Sequence, residues 1–168
     1  ASGAGDQAIT ALQKALADAG PADRARLSVA LGEAFANLQR WAEALAAYEG
    51  VAKDAPVDLR GDALYGACFA LHSLGKHEES IARATALRAL PGPHRLADQG
   101  SFAIAENLFA LQRYEPAEQA YAALLAHETF REKAGWKAAW CRYLRADKVT
   151  AAQRFEAISK TEGSPFAE

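Results

Sequence analysis

The sequence predicts an all-α protein in which antiparallel helix pairs stack into an α-α solenoid. One observation is that a small residue in one helix is matched by a large residue in the next, as Gly32 is matched by Tyr48. A second is that this pattern returns along the chain at a nearly constant spacing. The third is that proline and glycine interrupt the apolar pattern at the places where a helix has to end. Together they predict helix pairs in series and no β-strand.

The spacing is measured from the small residue that opens the second helix of each pair. These residues are Ala8, Ala44, Ser80, Ala117 and Ala151, and they lie 36, 36, 37 and 34 positions apart. The turn sequences at 38–41 (LQRW) and 111–114 (LQRY) are near copies. A period of this length is typical of helical repeats that bury their apolar faces against their neighbours.

The fullest repeat has Gly32 and Phe35 in its first helix, Ala44 and Tyr48 in its second, and Pro56 after it. This pattern resembles the tetratricopeptide repeat, which has a period of about 34 residues. The resemblance implies a right-handed superhelix of antiparallel helix pairs that acts as a binding scaffold. In spacing and turn style the chain is also similar to bacterial cell-envelope members of the family, of the outer-membrane assembly lipoprotein and periplasmic division-coordinator types.

The pattern predicts nine helices, at 6–19, 23–38, 42–54, 58–74, 78–90, 94–111, 115–127, 130–145 and 148–161. Pro56 is expected to end the third helix, and Pro91-Gly92-Pro93 to separate the second and third full repeats. Residues 129–132 (TFRE) are predicted to form a capping box, and Asp58 to be an N-cap. Pro116 fits the first turn of its helix.

The whole chain, 1–168, is predicted to be a single repeat array. Its segments are the second helix of a partial repeat at 6–22, repeats at 23–57, 58–93 and 94–128, a divergent repeat at 129–163, and the start of a further repeat at 164–168. Solenoids need terminal repeats with a polar outer face. Neither end supplies one, so the chain is expected to be a piece of a longer array; the alternative is an intact small protein with frayed ends. Self-association through the terminal helices is expected, with Ile9, Leu12 and Leu16 only half covered.

Composition excludes several classes of function. The net charge of −2 gives no basic excess for a phosphate backbone, so nucleic acid is not predicted as a partner. No apolar run approaches the roughly 20 residues of a membrane span, so direct membrane insertion is not predicted. Cys68 and Cys141 lie in separate helices and are expected to be buried packing residues, with a disulfide or a metal site as the alternatives.

A partner-binding groove is predicted on the concave surface, which the first helices of each repeat line in this family. Positions i, i+4 and i+7 of each first helix should face it. The predicted lining residues are Val29, Glu33, Ala36, Tyr65, Phe69, His72, Phe102, Glu106, Phe109, Trp136, Trp140 and Tyr143. Their aromatic rings exceed what a solvated groove needs, which predicts binding of a protein or peptide with an apolar segment.

Two alternatives concern these aromatic residues. Rings at helical spacing are often core residues, so packing alone is the alternative for Tyr65, Phe102, Trp136 and Trp140. The register of the last repeat is also open. Its alignment puts Arg142 where an apolar residue is expected, and a shift by one would move Trp136 into the packing position.

The ligand that the family is best known for, a C-terminal carboxylate held by Lys, Asn and Arg, is not predicted here. The matching positions hold Val29, Glu33, Gly66, Gln99 and Ala103. Glu33 and Glu106 would repel a carboxylate, which favours a partner segment that carries Lys or Arg. The alternative for both glutamates is a solvated groove face.

No enzymatic function is predicted. The four histidines are scattered without metal-ligand spacing, and the sequence has no glycine-rich phosphate loop after a strand. The sequence therefore predicts no catalytic residue, no metal site and no cofactor.

Two functions remain open at this stage. The first is a recognition scaffold that binds a peptide or helix of a partner in the aromatic groove. The second is a structural assembly module that packs end to end or on its own chain, with the groove filled internally. The cysteines leave the compartment undetermined, and the resemblance to cell-envelope proteins favours the periplasm or cell envelope over the cytoplasm.

Overall fold

The computed structural model describes residues 2–92, 94–145 and 148–160, and within them the helices are joined by turns and short irregular segments. The helices are α1 (Ser2–Asp18), α2 (Pro21–Asn37), α3 (Trp41–Glu49), α4 (Val57–Ser73), α5 (His77–Arg88), α6 (Ala97–Ala110), α7 (Tyr114–Ala122), α8 (Glu128–Leu144) and α9 (Lys148–Ser159). No β-strand occurs in these ranges. The predicted all-α class is confirmed.

The helices form two compact units, Ala1–Gly100 and Ser101–Glu168. In the first unit α1 to α5 pack in chain order, and α2 also contacts α4. Its core residues are Ile9, Val29, Leu31, Phe35, Ala44, Tyr48, Ala63, Ala67 and Ala70. In the second unit α8 packs against α7 and α9. Its core residues are Phe102, Ala105, Ala117, Tyr121, Leu124, Ala134, Ala138 and Cys141.

The pairing of a small residue with a large one explains the close approach of α2, α3 and α4. A Cβ atom on Gly32 would lie 2.5 Å from Cε1 of Tyr48, and a Cβ atom on Gly66 would also overlap the Tyr48 ring. The ring from α3 therefore occupies a slot between two glycines on neighbouring first helices. The sequence predicted the contact with Gly32, but it gave no sign of the one with Gly66.

Small residues at the helix crossings are buried, as predicted for Gly32, Cys68, Ala105 and Ala139. Ser80 takes the position that alanine holds in the other repeats, and it is fully buried. Its hydroxyl donates a hydrogen bond of 2.8 Å to the carbonyl of Cys68. A hydroxyl can replace a methyl group here because this bond offsets the hydrogen bonds to water that the hydroxyl loses on burial.

The turns at the ends of α2, α4 and α6 share one pattern of backbone hydrogen bonds. The amide of Arg40 donates to the carbonyl of Phe35 at 3.0 Å, and that of Gln39 to Ala36 at 2.9 Å. This is the Schellman arrangement, which needs a left-handed residue after the helix. Gly75 takes that conformation in the second turn, whereas Gln39 and Gln112 adopt it at φ 58° in the other two.

Several predicted boundaries are wrong. Helices α3 and α7 end at Glu49 and Ala122, five residues earlier than predicted in each case. Pro56 does not end α3; it is the N-cap of α4, where its fixed φ suits the start of a helix.

Two predicted caps are also wrong. Asp58 lies in the first turn of α4 and is not its N-cap. The predicted capping box at 129–132 lies inside α8, whose N-cap is His127. Pro116 does lie in the first turn of α7, and Pro91 and Gly92 do separate α5 from α6, as predicted. Position 93, the rest of that breaker, lies outside the described residues.

The first helix is better covered than the sequence predicted. Leu12 and Leu16 are half-buried, as expected, but Ile9 is buried in the core of the first unit. The repeat boundaries and the superhelical handedness stay predictions.

Candidate partner-binding groove

A cavity of about 330 Å³ lies in the first unit, beside the contact of α2 with α4. It is lined by Glu33, Ala36, Asn37, Tyr48, Asp62, Tyr65, Gly66, Phe69, Arg95 and Leu96. Glu33, Ala36, Tyr65 and Phe69 were predicted to line the groove, and the structure brings all four together here. The remaining residues were not predicted to line it, and Tyr48, Arg95 and Leu96 reach the cavity from α3 or from the segment before α6.

The aromatic wall of the cavity is open to solvent. Phe69 is 52% exposed, and its ring meets Trp41 edge to face at a centroid distance of 5.5 Å. Tyr65 is half-buried, and this burial raises the pKa of its phenol. Covering the Phe69 ring with a partner would remove apolar surface from water, which is favourable.

The polar part of the cavity contains two carboxylates and a phenol. Burial, followed by the nearby charge of Glu33, raises the pKa of Tyr48 to about 12. Asp62 is largely buried and binds the guanidinium of Arg95, which is exposed. Glu33 is exposed and has no ion pair among the residues that the structure describes.

Two residues predicted to line the groove in this unit lie elsewhere. Val29 is 6% exposed and belongs to the core, because its position on α2 faces the neighbouring helices; the prediction for it is wrong. His72 is half-buried at the end of α4, and its ring contacts His77 at 5.3 Å. It does not line the cavity.

In the second unit the carboxylate of Glu106 is paired with neighbouring side chains. Its carboxylate accepts hydrogen bonds from the hydroxyl of Tyr121 and from Nζ of Lys137, the latter at 3.2 Å. The same ammonium lies 4.9 Å from the centroid of the Phe109 ring. The sequence presented Glu106 as an uncompensated charge, because nothing in the chain order shows that Lys137 on α8 reaches it.

Phe102, also predicted to line the groove, is a packing residue. It is 9% exposed, stacks on Phe130 at 5.4 Å and meets Tyr121 edge to face at 5.7 Å. The alternative of packing alone is correct for this ring.

Trp136, Trp140 and Tyr143 of α8 form a continuous stack. The centroids of Trp136 and Trp140 lie 5.6 Å apart, and those of Trp140 and Tyr143 lie 5.3 Å apart. Phe155 of α9 meets both tryptophans edge to face. The tryptophans are half-buried and Tyr143 is 41% exposed, so this stack, which we call the α8 ladder, lies at the surface of its unit.

The register of the last repeat follows from which residues of α8 are buried. Ala134, Ala138, Ala139 and Cys141 are buried, whereas Trp136 is not. This burial pattern favours the unshifted alignment. Arg142 takes the apolar position because it binds the buried carboxylate of Glu118 from α7.

The cysteines are free and buried, and the described residues contain no cluster of His, Cys, Asp and Glu that could hold a metal ion. Burial raises the pKa of both thiols, to about 11 for Cys141. His94 is buried, with Nδ1 accepting a hydrogen bond of 3.1 Å from the amide of Leu96.

Among the described helices none has the length and apolar character needed to cross a membrane.

The structure resembles solved helical-repeat proteins. A protein of Podosopora anserina, described as a putative kinesin light chain with nearly identical TPR-like repeats, matches with a TM-score of 0.74 and 16% identity, over 94% of this chain and 86% of that one. A single-substitution form of that protein gives the same values. MamA from residue 41 to its end, from Desulfovibrio magneticus RS-1, matches with a TM-score of 0.65 and 16% identity, over 92% of each chain.

At this level of identity the likeness establishes the fold, which is that of tetratricopeptide-like repeats. No known protein family matches the sequence, and no curated protein matches it as a relative.

Proposed function

We propose that this chain is a non-enzymatic scaffold that binds a segment of a partner protein along the surface lined by its first helices. The observation that carries the proposal is the exposure of large rings at predicted groove positions, above all Phe69 on α4. An apolar surface beside a concave site is typical of protein interaction. The fold supports the proposal, since helical repeats present extended binding surfaces.

Each unit offers a surface of its own. In the first unit the cavity combines Phe69 and Tyr65 with the carboxylates of Glu33 and Asp62. In the second unit the α8 ladder supplies stacked rings. Rings with few rotatable bonds bury much apolar area at a small entropic cost, so both surfaces suit an apolar peptide or helix. Val29 and Phe102 do not belong to the proposed binding surfaces because they are buried. His72 does not belong to them because it does not line the cavity.

A peptide selection tests this proposal without a known partner. Random peptides displayed on phage are selected on the immobilised chain, and the affinity of the enriched peptides is measured by calorimetry for the wild type and for Phe69→Ala. We expect the substitution to weaken binding at least about tenfold, which corresponds to roughly 1.4 kcal/mol.

The matched control is Leu74→Ala, which truncates another exposed apolar side chain at the end of the same helix but outside the cavity. It should change affinity less than about twofold. Equal affinity for the wild type and Phe69→Ala, with both proteins folded, contradicts the proposal for the first unit.

The second candidate function, a structural assembly module, is favoured by the half-buried Leu12 and Leu16 on α1. Sedimentation velocity over a wide concentration range distinguishes the two. Concentration-dependent growth that Leu12→Glu abolishes supports assembly, whereas a monomer at all concentrations contradicts it.

We also propose a bacterial cell-envelope location, supported by the repeat period and turn style alone. Fractionation of cells that express the full-length protein tests it, and recovery in the cytoplasm would contradict it.

A further inference from the structure

One equivalent position in the first helices of the two units holds a glycine in one unit and a lysine in the other. Gly66 in α4 and Lys137 in α8 both lie two residues before the small residue of the helix crossing, which is Cys68 in one and Ala139 in the other. A glycine in one repeat therefore corresponds to a lysine in another.

Two of the residues that face this position, a glutamate and a tyrosine, are kept in both repeats, whereas Phe109 corresponds to Ala36. Glu33 and Glu106 each follow the small crossing residue of the preceding first helix. Tyr48 and Tyr121 each lie four residues after the alanine that opens the second helix. The carboxylate and the phenol are thus constant, and the cation is present in only one of the two repeats.

The second unit shows what these groups bind. The ammonium of Lys137 lies 3.1 Å from Oε1 of Glu106 and 4.9 Å from the centre of the Phe109 ring. A carboxylate on one side and an aromatic face on the other replace the water that a lysine loses on burial.

The first unit keeps the anionic groups but lacks the cation. Gly66 has no side chain, and the Tyr48 ring occupies the space that its Cβ atom would take. The cavity of about 330 Å³ adjoins it and is also lined by Glu33, Tyr65 and Phe69. This volume is at the lower end of the range for pockets that hold small organic groups, so one long side chain suits it. Glu33 and Asp62 face a single cation, Arg95, among the residues that line the cavity, which leaves it with a net negative charge.

We infer that this cavity receives one lysine or arginine side chain of the bound partner segment, in the role that Lys137 performs within the chain in the second unit. The inference rests on the proposed function, because the side chain arrives as part of a segment bound beside Phe69. Asp62 already binds the guanidinium of Arg95 at the cavity. A carboxylate of this cavity can therefore bind such a group. Glu33 is the carboxylate left for the partner.

The first experiment uses N-acetyl-arginine amide as a probe and its neutral isostere, N-acetyl-citrulline amide, as the control. Both are titrated into the ¹⁵N-labelled chain, and amide shifts are followed. The arginine probe should shift the amides of Glu33, Tyr65 and Gly66, and the citrulline probe should not. Equal shifts with both probes, or no shift at these amides, would overturn the inference.

Two variants sharpen this titration. Glu33→Gln keeps the shape of the side chain and should lower the affinity for the arginine probe at least about fivefold, since it removes the unpaired charge. Glu79→Gln on α5, an exposed glutamate outside the cavity, is the matched control and should bind as the wild type does. Equal loss in both variants would indicate general charge attraction and would overturn the specific site.

A gain of binding provides an independent test. Lys137→Ala removes the internal cation from Glu106 and opens the equivalent position in the second unit. The arginine probe should then shift the amides of Glu106 and Phe109, which it leaves unchanged in the wild type. A Lys137→Ala protein that stays folded by circular dichroism and gains no such site contradicts the inference.

The peptides selected on the wild type separate this inference from the proposed function. If Phe69→Ala weakens them but replacing their Lys and Arg residues by Gln has no effect, the groove binds peptides and the inference is wrong. If Phe69→Ala has no effect, the proposed function itself fails. The inference is supported when the Phe69→Ala substitution, the loss of peptide cations and Glu33→Gln each weaken the same peptides.

Discussion

The guanidinium of Arg142 in α8 binds the carboxylate of Glu118 in α7, whose side chain is only 8% exposed. Nε of Arg142 donates to Oε1 at 2.8 Å, and Nη1 of Arg145 donates to Oε2 at 3.2 Å. Arg154 lies 3.8 Å from the same carboxylate. An ion-pair cluster therefore joins these helices where the repeat pattern has an apolar contact.

Removing the buried member of this cluster should destabilise the chain strongly. Glu118→Ala is expected to lower the free energy of unfolding by about 3 kcal/mol, because the partly buried arginines lose their counter-charge. Urea unfolding measures it. The control is Glu115→Ala, which removes an exposed carboxylate paired with Arg145 and should cost less than about 1 kcal/mol. Equal losses would show that the burial of Glu118 is unimportant.

Two mid-helix glycines should respond in opposite directions to the same substitution. Gly66→Ala places a methyl group against the Tyr48 ring and should cost about 1 to 3 kcal/mol. Gly135→Ala in α8 meets only ordinary contacts at 3.5 Å or more, and it should stabilise by up to about 1 kcal/mol through helix propensity. Thermal unfolding compares the two. A stabilising Gly66→Ala would show that Tyr48 does not need the slot.

The sequence predicted the helices and the small residues at the crossings because both follow from local periodicity. It did not predict that Tyr48 reaches Gly66, that Lys137 neutralises Glu106, or that Arg142 binds Glu118. Each of these pairs joins different helices, and their meeting depends on side-chain length and direction, which spacing along one helix does not report. For the same reason Val29 and Phe102 were placed in the groove although they are buried.

The left-handed glutamines in the turns offer a route to stabilisation. Gln39→Gly and Gln112→Gly should each raise the free energy of unfolding by about 0.5 to 1 kcal/mol, because glycine adopts a φ of 58° without a Cβ penalty. Gly75 already holds the equivalent place in the middle turn. Gln13→Gly inside α1 is the control and should destabilise by about 1 kcal/mol. Denaturant unfolding measures all three, and a destabilising Gln39→Gly would contradict the assigned turn.

Alkaline pH should weaken the fold through groups that stay protonated when buried. Burial raises the pKa of Cys141 from 9.0 to about 11 and that of Tyr48 from 10.0 to about 12. The folded chain then keeps protons that the unfolded chain has lost, so stability is full below about pH 9 and falls from there to pH 12. Tyr48→Phe should make the fall between pH 10 and 12 less steep in urea unfolding. Parallel declines in the two proteins would contradict this role for Tyr48.

The α8 ladder should carry much of the binding energy of the second unit. Trp140 lies in its middle, between Trp136 and Tyr143, and its loss removes a large ring and breaks the stack. Trp140→Ala is expected to weaken peptides that bind this unit by about 2 kcal/mol, measured by calorimetry. Leu144→Ala, which truncates an exposed apolar side chain on the same helix but outside the ladder, should leave affinity within about twofold.

Loss of fold would imitate loss of the ladder, because Phe155 of α9 also packs on Trp140 at 6.1 Å. Circular dichroism therefore accompanies each measurement, and Trp140→Phe serves as a second variant that retains a ring for the stack and for Phe155. It should recover more than half of the binding free energy that Trp140→Ala loses, since ring area and not the indole nitrogen is expected to dominate. A folded Trp140→Ala protein with wild-type affinity would remove the ladder from the binding surface and leave the cavity beside Phe69 as the candidate site.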